Sequence, residues 1–143
     1  MQLEDKVVII TGSARGIGKV YAKAVAAEGA KVVVSDILDG EGTVQEIRDS
    51  GGEAFYFHTD VTDEASVESL AEETKSQFGG IDGLVNNAAL FADMRYVAFD
   101  EVTVEEWDQM MSVNVKGVWL TSRAVYPPVS YTHLRAHETD SYL

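Results

Sequence analysis

Thr11-Gly12-Ser13-Ala14-Arg15-Gly16-Ile17-Gly18 is the segment of this sequence with the clearest chemistry. Its glycines let a backbone turn tightly and approach a pyrophosphate, which the free N–H groups and positive dipole end of a following helix would then hold. A glycine-rich turn without a ligand has the same composition, so the pattern alone is weak. Context strengthens it: the apolar run Val7-Val8-Ile9-Ile10 precedes the segment, and a second run, Lys31 to Asp36, ends in an acid. A carboxylate at Asp36 can accept hydrogen bonds from the hydroxyls of an adenosine ribose and would repel the 2′-phosphate of NADP, which points to NAD. Arg15 argues the other way, because a guanidinium there can pair with a 2′-phosphate. Asp36 carries more weight, since a flexible arginine can swing to solvent whereas a strand-end carboxylate cannot leave the site it lines.

Two more segments follow predicted strands and should line the same crevice, Asp60-Val61 and Asn86-Asn87-Ala88-Ala89. Asp60 could accept from an adenine amino group, although taken alone it reads as a helix-capping residue. The asparagines could tie adjacent loops together while offering backbone to a cofactor. Asn114 falls inside a predicted helix, where asparagine is mildly unfavourable and usually just solvated. In the C-terminal segment His133 and His137 stand four apart, which on a helix would face one metal, but no further ligands accompany them.

The elements that must position these residues alternate regularly. Strands are expected at Val7–Ile10, Lys31–Asp36, Ala54–His58 and Leu84–Val85. Between them, a helix from Gly16 carries Ile17, Val20, Tyr21, Ala24 and Ala27 at helical spacing and ends at Gly29, and a weaker one spans Thr43 to Asp49. A third has the stripe Val67, Leu70, Ala71, Thr74 and Phe78 behind the acids Asp63 and Glu64. Thr103-Val104-Glu105-Glu106 reads as a capping box opening a long helix through Trp107, Met110, Met111, Val115 and Val118 towards Tyr126. Such alternation implies an α/β fold, a Rossmann-type doubly wound parallel sheet with its crevice at the carboxyl ends of the strands. Only about four strands of the usual six are here, so the sheet is expected to be truncated before its second half.

Composition bounds the partners. The chain has 143 residues, enough for one domain, and 45% hydrophobic with 24% charged residues is a globular balance. A net charge of -13 argues against nucleic acid and membrane surfaces as partners, while leaving room for one local anion site. There is no cysteine, and the N-terminus lacks the basic and apolar regions of a signal peptide, so the expectation is a soluble, cytoplasmic protein.

Together, these residues resemble the short-chain dehydrogenase/reductase family in its single-domain form, from Lys6 to about Tyr126. The likeness rests on Thr11 to Gly18 (the family's TGxxxGxG), Asp36, Asp60-Val61, Asn86-Asn87-Ala88 and Asn114-Val115-Lys116-Gly117. It implies NAD(H)-dependent interconversion of an alcohol and a carbonyl compound, a small-molecule alcohol or ketone substrate and a homo-oligomeric full-length protein. It further implies that Gly12, Arg15, Gly16, Ile17 and Gly18 bind the pyrophosphate side of the cofactor, Asp36 a ribose, Asp60 and Val61 the adenine, and Asn87 the neighbouring ribose. Asn114 matches a member of the family's catalytic tetrad, whose backbone holds a water that relays protons. Ala89 replaces a glycine common in the family. The serine and the Tyr-x-x-x-Lys pair that complete the chemistry lie beyond the matched region, after a fifth strand. Ser130-Tyr131 with Arg135 is the nearest imitation; it directly follows Pro127-Pro128 with no intervening strand, and arginine cannot share protons as lysine does. This chain alone is therefore expected to be inactive. A non-catalytic NAD-binding module is the alternative, and an isomerase or epimerase that keeps its nicotinamide bound fits the spacing less well. Phe91 to Phe99 offers a hint of an apolar substrate wall.

The composition shifts at Pro128: two of the three histidines and two of the six tyrosines lie beyond it. Val-Ser-Tyr-Thr-His-Leu-Arg-Ala-His-Glu-Thr is also one reading frame of a DNA string that resembles the mosaic end and adapter of a transposase-based sequencing library. Residues 1–127 are therefore expected to be the N-terminal part of the NAD-binding domain and residues 128–143 a non-native tail.

Overall fold

The computed structural model of the protein describes residues 1–91 and 94–126. Strands β1 (Val7–Thr11), β2 (Lys31–Asp36), β3 (Glu53–His58) and β4 (Gly83–Val85) alternate with helices α1 (Gly16–Ala27), α2 (Glu41–Asp49) and α3 (Glu64–Phe78). A long helical segment follows: α4 (Val104–Met111), a π-helical turn (Ser112–Lys116) and α5 (Gly117–Val125). All pairings are parallel and the strand order is β3-β2-β1-β4. The chain leaves β1 on one side to build β2 and β3, then crosses to the other side for β4. The switch of direction lies between β1 and β4, where a doubly wound sheet opens its crevice.

Register explains the two-sided core. Leu84, Ile9, Val33 and Phe55 align in one row across the sheet and pack with Leu70 and Phe78 of α3 and Val125 of α5. The next row, Val85, Ile10, Val34 and Tyr56, has the opposite pleat and packs with Ala22, Val44 and Ile47 of α1 and α2. Burial on both faces is why β1 and β2 read as unbroken apolar runs rather than alternating ones.

Local signals place most boundaries. Asp63 caps α3 by accepting from the Ala65 N–H at 3.1 Å, and Gly79 ends that helix at φ +86°. The capping box forms as expected: Thr103 Oγ1 accepts from the Glu106 N–H at 3.1 Å, and the Glu106 carboxylate accepts from the Thr103 N–H at 2.9 Å.

Two expectations need correction. The large apolar stripe of α1 does not face the core, since Ile17, Val20 and Tyr21 are 65%, 64% and 47% exposed while Gly18 and Ala22 are buried. The helix sits close to the sheet through its smallest residues, a geometry that a search for bulky periodicity overlooks. Likewise Trp107, Met111, Val115 and Val118 lie on the outer side of the long helix, which is held inward by Gly117, Leu120 and Thr121. The expectations for Pro128 to Leu143, including Ser130, Tyr131, His133 and His137, lie outside the described residues.

Candidate functional site

The carboxyl ends of the strands open into a cleft of about 710 Å³. Gly12, Arg15, Gly16, Ile17, Gly18, Asp36, Asp60, Val61 and Asn87, from four separate loops, all line it. The folding of β1, β2, β3 and β4 side by side is what brings these loops together.

Two glycines are required sterically. Gly12 adopts φ +68°, and a Cβ there would lie 2.8 Å from the Cα of Ala88. A Cβ on Gly18 would lie 2.2 Å from the Gly12 carbonyl oxygen. Side chains at these positions would therefore push α1 off the loop or close the cleft.

Thr11 joins the glycine-rich loop to the loop after β4. Its buried hydroxyl donates to the Val85 carbonyl at 3.4 Å and accepts from the N–H groups of Asn87 and Ala88, each at 3.1 Å. The Asn87 side-chain amide donates to the Thr11 and Gly12 carbonyls at 3.1 and 3.0 Å, and Asn86 Nδ2 donates to Ser122 Oγ at 3.1 Å. The expected tying of adjacent loops by the asparagines is thus present, with Asn87 clamping the glycine-rich loop and Asn86 reaching α5.

Asp36 lies at the carboxyl end of β2, with its carboxylate oriented by two backbone donors. Oδ2 accepts from the Ala14 N–H at 2.9 Å and Oδ1 from the Leu38 N–H at 3.0 Å. Each oxygen retains a second lone pair for a ligand. Tyr56 donates its hydroxyl to the Asp36 carbonyl at 3.3 Å. Burial, reinforced by the negative charges of Asp36, Asp39 and Glu41, pushes the Tyr56 phenol above its ordinary value, so the donor is retained. Arg15 is exposed at the rim.

Asp60 folds its own loop: Oδ1 accepts from the Thr62 N–H at 2.9 Å and from the Thr62 hydroxyl at 2.7 Å. The helix cap expected of it is provided by Asp63 instead. Val61 is buried against Gly117, where a Cβ would approach its Cγ2 to 2.8 Å. Its side chain thus seats the long helix.

Asn114 departs from the solvated residue that its helical position suggested. It lies in the π-helical turn and exchanges two hydrogen bonds with Leu90, accepting from its N–H at 2.7 Å and donating to its carbonyl at 3.1 Å. Of the described aromatic residues in the stretch expected to offer an apolar wall, Phe91 lines the cleft, whereas Tyr96 and Phe99, 98% and 92% exposed, do not. Sequence reading missed Thr43, whose buried hydroxyl donates to the Ala14 carbonyl at 3.0 Å, and the second role of Ser13, whose Oγ donates to Ile10 and accepts from the Ser35 N–H. Nothing local distinguishes such a threonine from an ordinary helical one. Among the described residues there is no group of acidic and histidine side chains that could hold a metal, and no helix is long and apolar enough to cross a membrane.

Comparison with known proteins agrees with this geometry. The chain is 42% identical over 125 residues to galactitol 2-dehydrogenase of Agrobacterium fabrum, covering 87% of this chain and 47% of that protein. It is 36% identical over 134 residues to cyclopentanol dehydrogenase of Comamonas testosteroni, covering 92% and 52%. A short-chain type dehydrogenase/reductase from Mycobacterium marinum superposes with a TM-score of 0.82 at 33% identity, over 87% of this chain and 50% of that one. The chain thus spans about half the length of the curated relatives it matches. A profile described as short chain dehydrogenase matches residues 6–134, and with the parallel sheet and the cleft lined by Gly12, Gly18 and Asn87 this shows that the chain belongs to the short-chain dehydrogenase family.

Proposed function

We propose that this chain is the cofactor-binding half of an NAD(H)-dependent oxidoreductase that interconverts a small-molecule alcohol and a carbonyl compound. The observation that carries the reading is the pairing of a glycine cradle, in which a Cβ at Gly12 or Gly18 would strike backbone, with a carboxylate fixed at the end of β2. These residues fit a dinucleotide: close backbone approach suits a pyrophosphate, and acceptor oxygens on Asp36 suit ribose hydroxyls. When bound, a nicotinamide group supplies hydride transfer.

The chain's own residues hold and orient that group. Gly12, Arg15, Gly16, Ile17 and Gly18 face its pyrophosphate, Asp36 the adenosine ribose, Asp60 and the Val61 backbone the adenine, and Asn87 the second ribose. Asn114 is assigned to catalysis through its main chain, since its side chain is engaged by Leu90. Preference for NAD is tested by dissociation constants for NAD and NADP with the full-length protein and its D36A variant. NAD should bind more tightly before the substitution and lose that advantage after it; an unmutated protein that prefers NADP overturns the cofactor assignment.

No tyrosine in the sequence has a lysine four residues on, which supports an inactive chain whose acid/base residues come from a longer protein. We place the tail, residues 128–143, outside the native domain. Because the family match reaches residue 134, amplification of the locus from source DNA decides this: a frame diverging after Pro127 and supplying Tyr-x-x-x-Lys is expected, and a natural frame encoding the tail defeats it. A cytoplasmic location is proposed with the same enzyme, to be checked by fractionation.

The full-length protein is proposed to be a homo-oligomer joined through α4 and α5. Exposed Trp107, Met111, Val115 and Trp119 are spaced four apart. In an antiparallel pair of copies, Trp107 would meet Trp119 and Met111 would meet Val115. V115D should shift the sedimentation coefficient to that of a monomer.

A further inference from the structure

The loop between β1 and α1 is held from behind by a residue that never reaches the cleft. Thr43, the third residue of α2, is 1% exposed, and α2 is anchored on the sheet through Val44 and Ile47. The Thr43 hydroxyl donates to the Ala14 carbonyl at 3.0 Å, while the Ala14 N–H donates to Asp36 Oδ2 at 2.9 Å. These two bonds hold the peptide planes on either side of Ala14 and so set its φ and ψ.

The second plane also carries the N–H of Arg15. No peptide bond in the described chain is cis, and in a trans peptide the N–H points opposite to the carbonyl. With the Ala14 carbonyl drawn towards α2, the Arg15 N–H is turned the other way. Arg15 borders the cleft and is the N-cap of α1, whereas no residue of α2 lines the cleft. Without the Thr43 bond, the plane could rotate next to Gly16, whose φ of +59° already marks a conformationally permissive position.

We infer that Thr43 is a positioning residue for pyrophosphate binding: its hydroxyl orients the Ala14–Arg15 peptide so that the Arg15 N–H faces the bound nucleotide. This rests on the nucleotide-binding reading of the cleft.

The test compares NAD and adenosine binding to the full-length protein and its T43V and T43S variants, by calorimetry for NAD and ligand-observed NMR for adenosine. Adenosine reaches the Asp36 side of the cleft but carries no pyrophosphate. T43V should weaken NAD about ten-fold, the weight of one hydrogen bond, and change adenosine by less than about two-fold, with T43S restoring NAD affinity. Unchanged NAD affinity in T43V overturns the inference, as does an equal loss for both ligands, which would mark a purely structural residue. If T43V does not fold, amide exchange of the unmutated protein decides: the Arg15 N–H should exchange freely without ligand and become protected with NAD, and protection that NAD leaves unchanged overturns the inference. An unmutated protein that binds neither ligand defeats the nucleotide reading itself.

Discussion

Asn114 and Leu90 are 24 residues apart and exchange a reciprocal pair of hydrogen bonds, 2.7 Å from the Leu90 N–H to Asn114 Oδ1 and 3.1 Å from Asn114 Nδ2 to the Leu90 carbonyl. A side-chain amide, with one donor group and one acceptor, imitates a neighbouring strand here and secures the chain just past β4 to the π-helical turn. N114A leaves both Leu90 groups half-buried and unpaired. It should lower unfolding free energy by about 1–2 kcal/mol, measured as a shift in the urea midpoint.

G18A should damage the site and the fold together. The added methyl would lie 2.2 Å from the Gly12 oxygen and 2.5 Å from Asn87 Nδ2, so the loop or α1 must shift. A loss of about 1–3 kcal/mol in stability is expected, with NAD binding undetectable by calorimetry.

The orientation of α1 is open to a paired substitution. Ala22 is fully buried against the sheet and Val20 is 64% exposed. A22L should therefore cost about 1–3 kcal/mol by overpacking, and V20K should stay within about 0.5 kcal/mol of the unmutated protein. Thermal unfolding of both variants checks this, and a larger effect from V20K would reverse the assigned face.

Acid stability should show two depressed carboxyls. Hydrogen bonds from Lys19 and Lys23 hold Glu46 at about 2 instead of 4.5, and those from Arg95 and Thr103 hold Glu106 at about 2. Lowered values mean that the stabilisation is complete above pH 4.5 and is lost as the pH falls through about 2. E46Q and E106Q should each flatten the acid limb of the stability curve within that window, and NMR titration of the two carboxyls should give midpoints well below those of the unfolded chain.

The alternation of strands and helices was legible in the sequence, because burial on both faces demands continuous apolar runs such as Val7–Ile10 and Val32–Val34, and those runs have few alternative structures. Glycine positions in the loop after β1 were legible for a related reason: a side chain is excluded at Gly12 by a positive φ together with the close approach of Ala88, and at Gly18 by the Gly12 carbonyl oxygen. The sequence alone thereby determined an α/β chain with a nucleotide-type turn. Which face of α1 meets the sheet was decided by tertiary packing, since Gly18 and Ala22 allow an approach that the bulkier Ile17 and Val20 would prevent. Tertiary structure likewise decided the pairing of Asn114 with Leu90 and of Thr43 with Ala14. Such bonds join residues 24 and 29 positions apart, and a donor and an acceptor that far apart leave no periodic trace in the sequence until the sheet has brought their loops together.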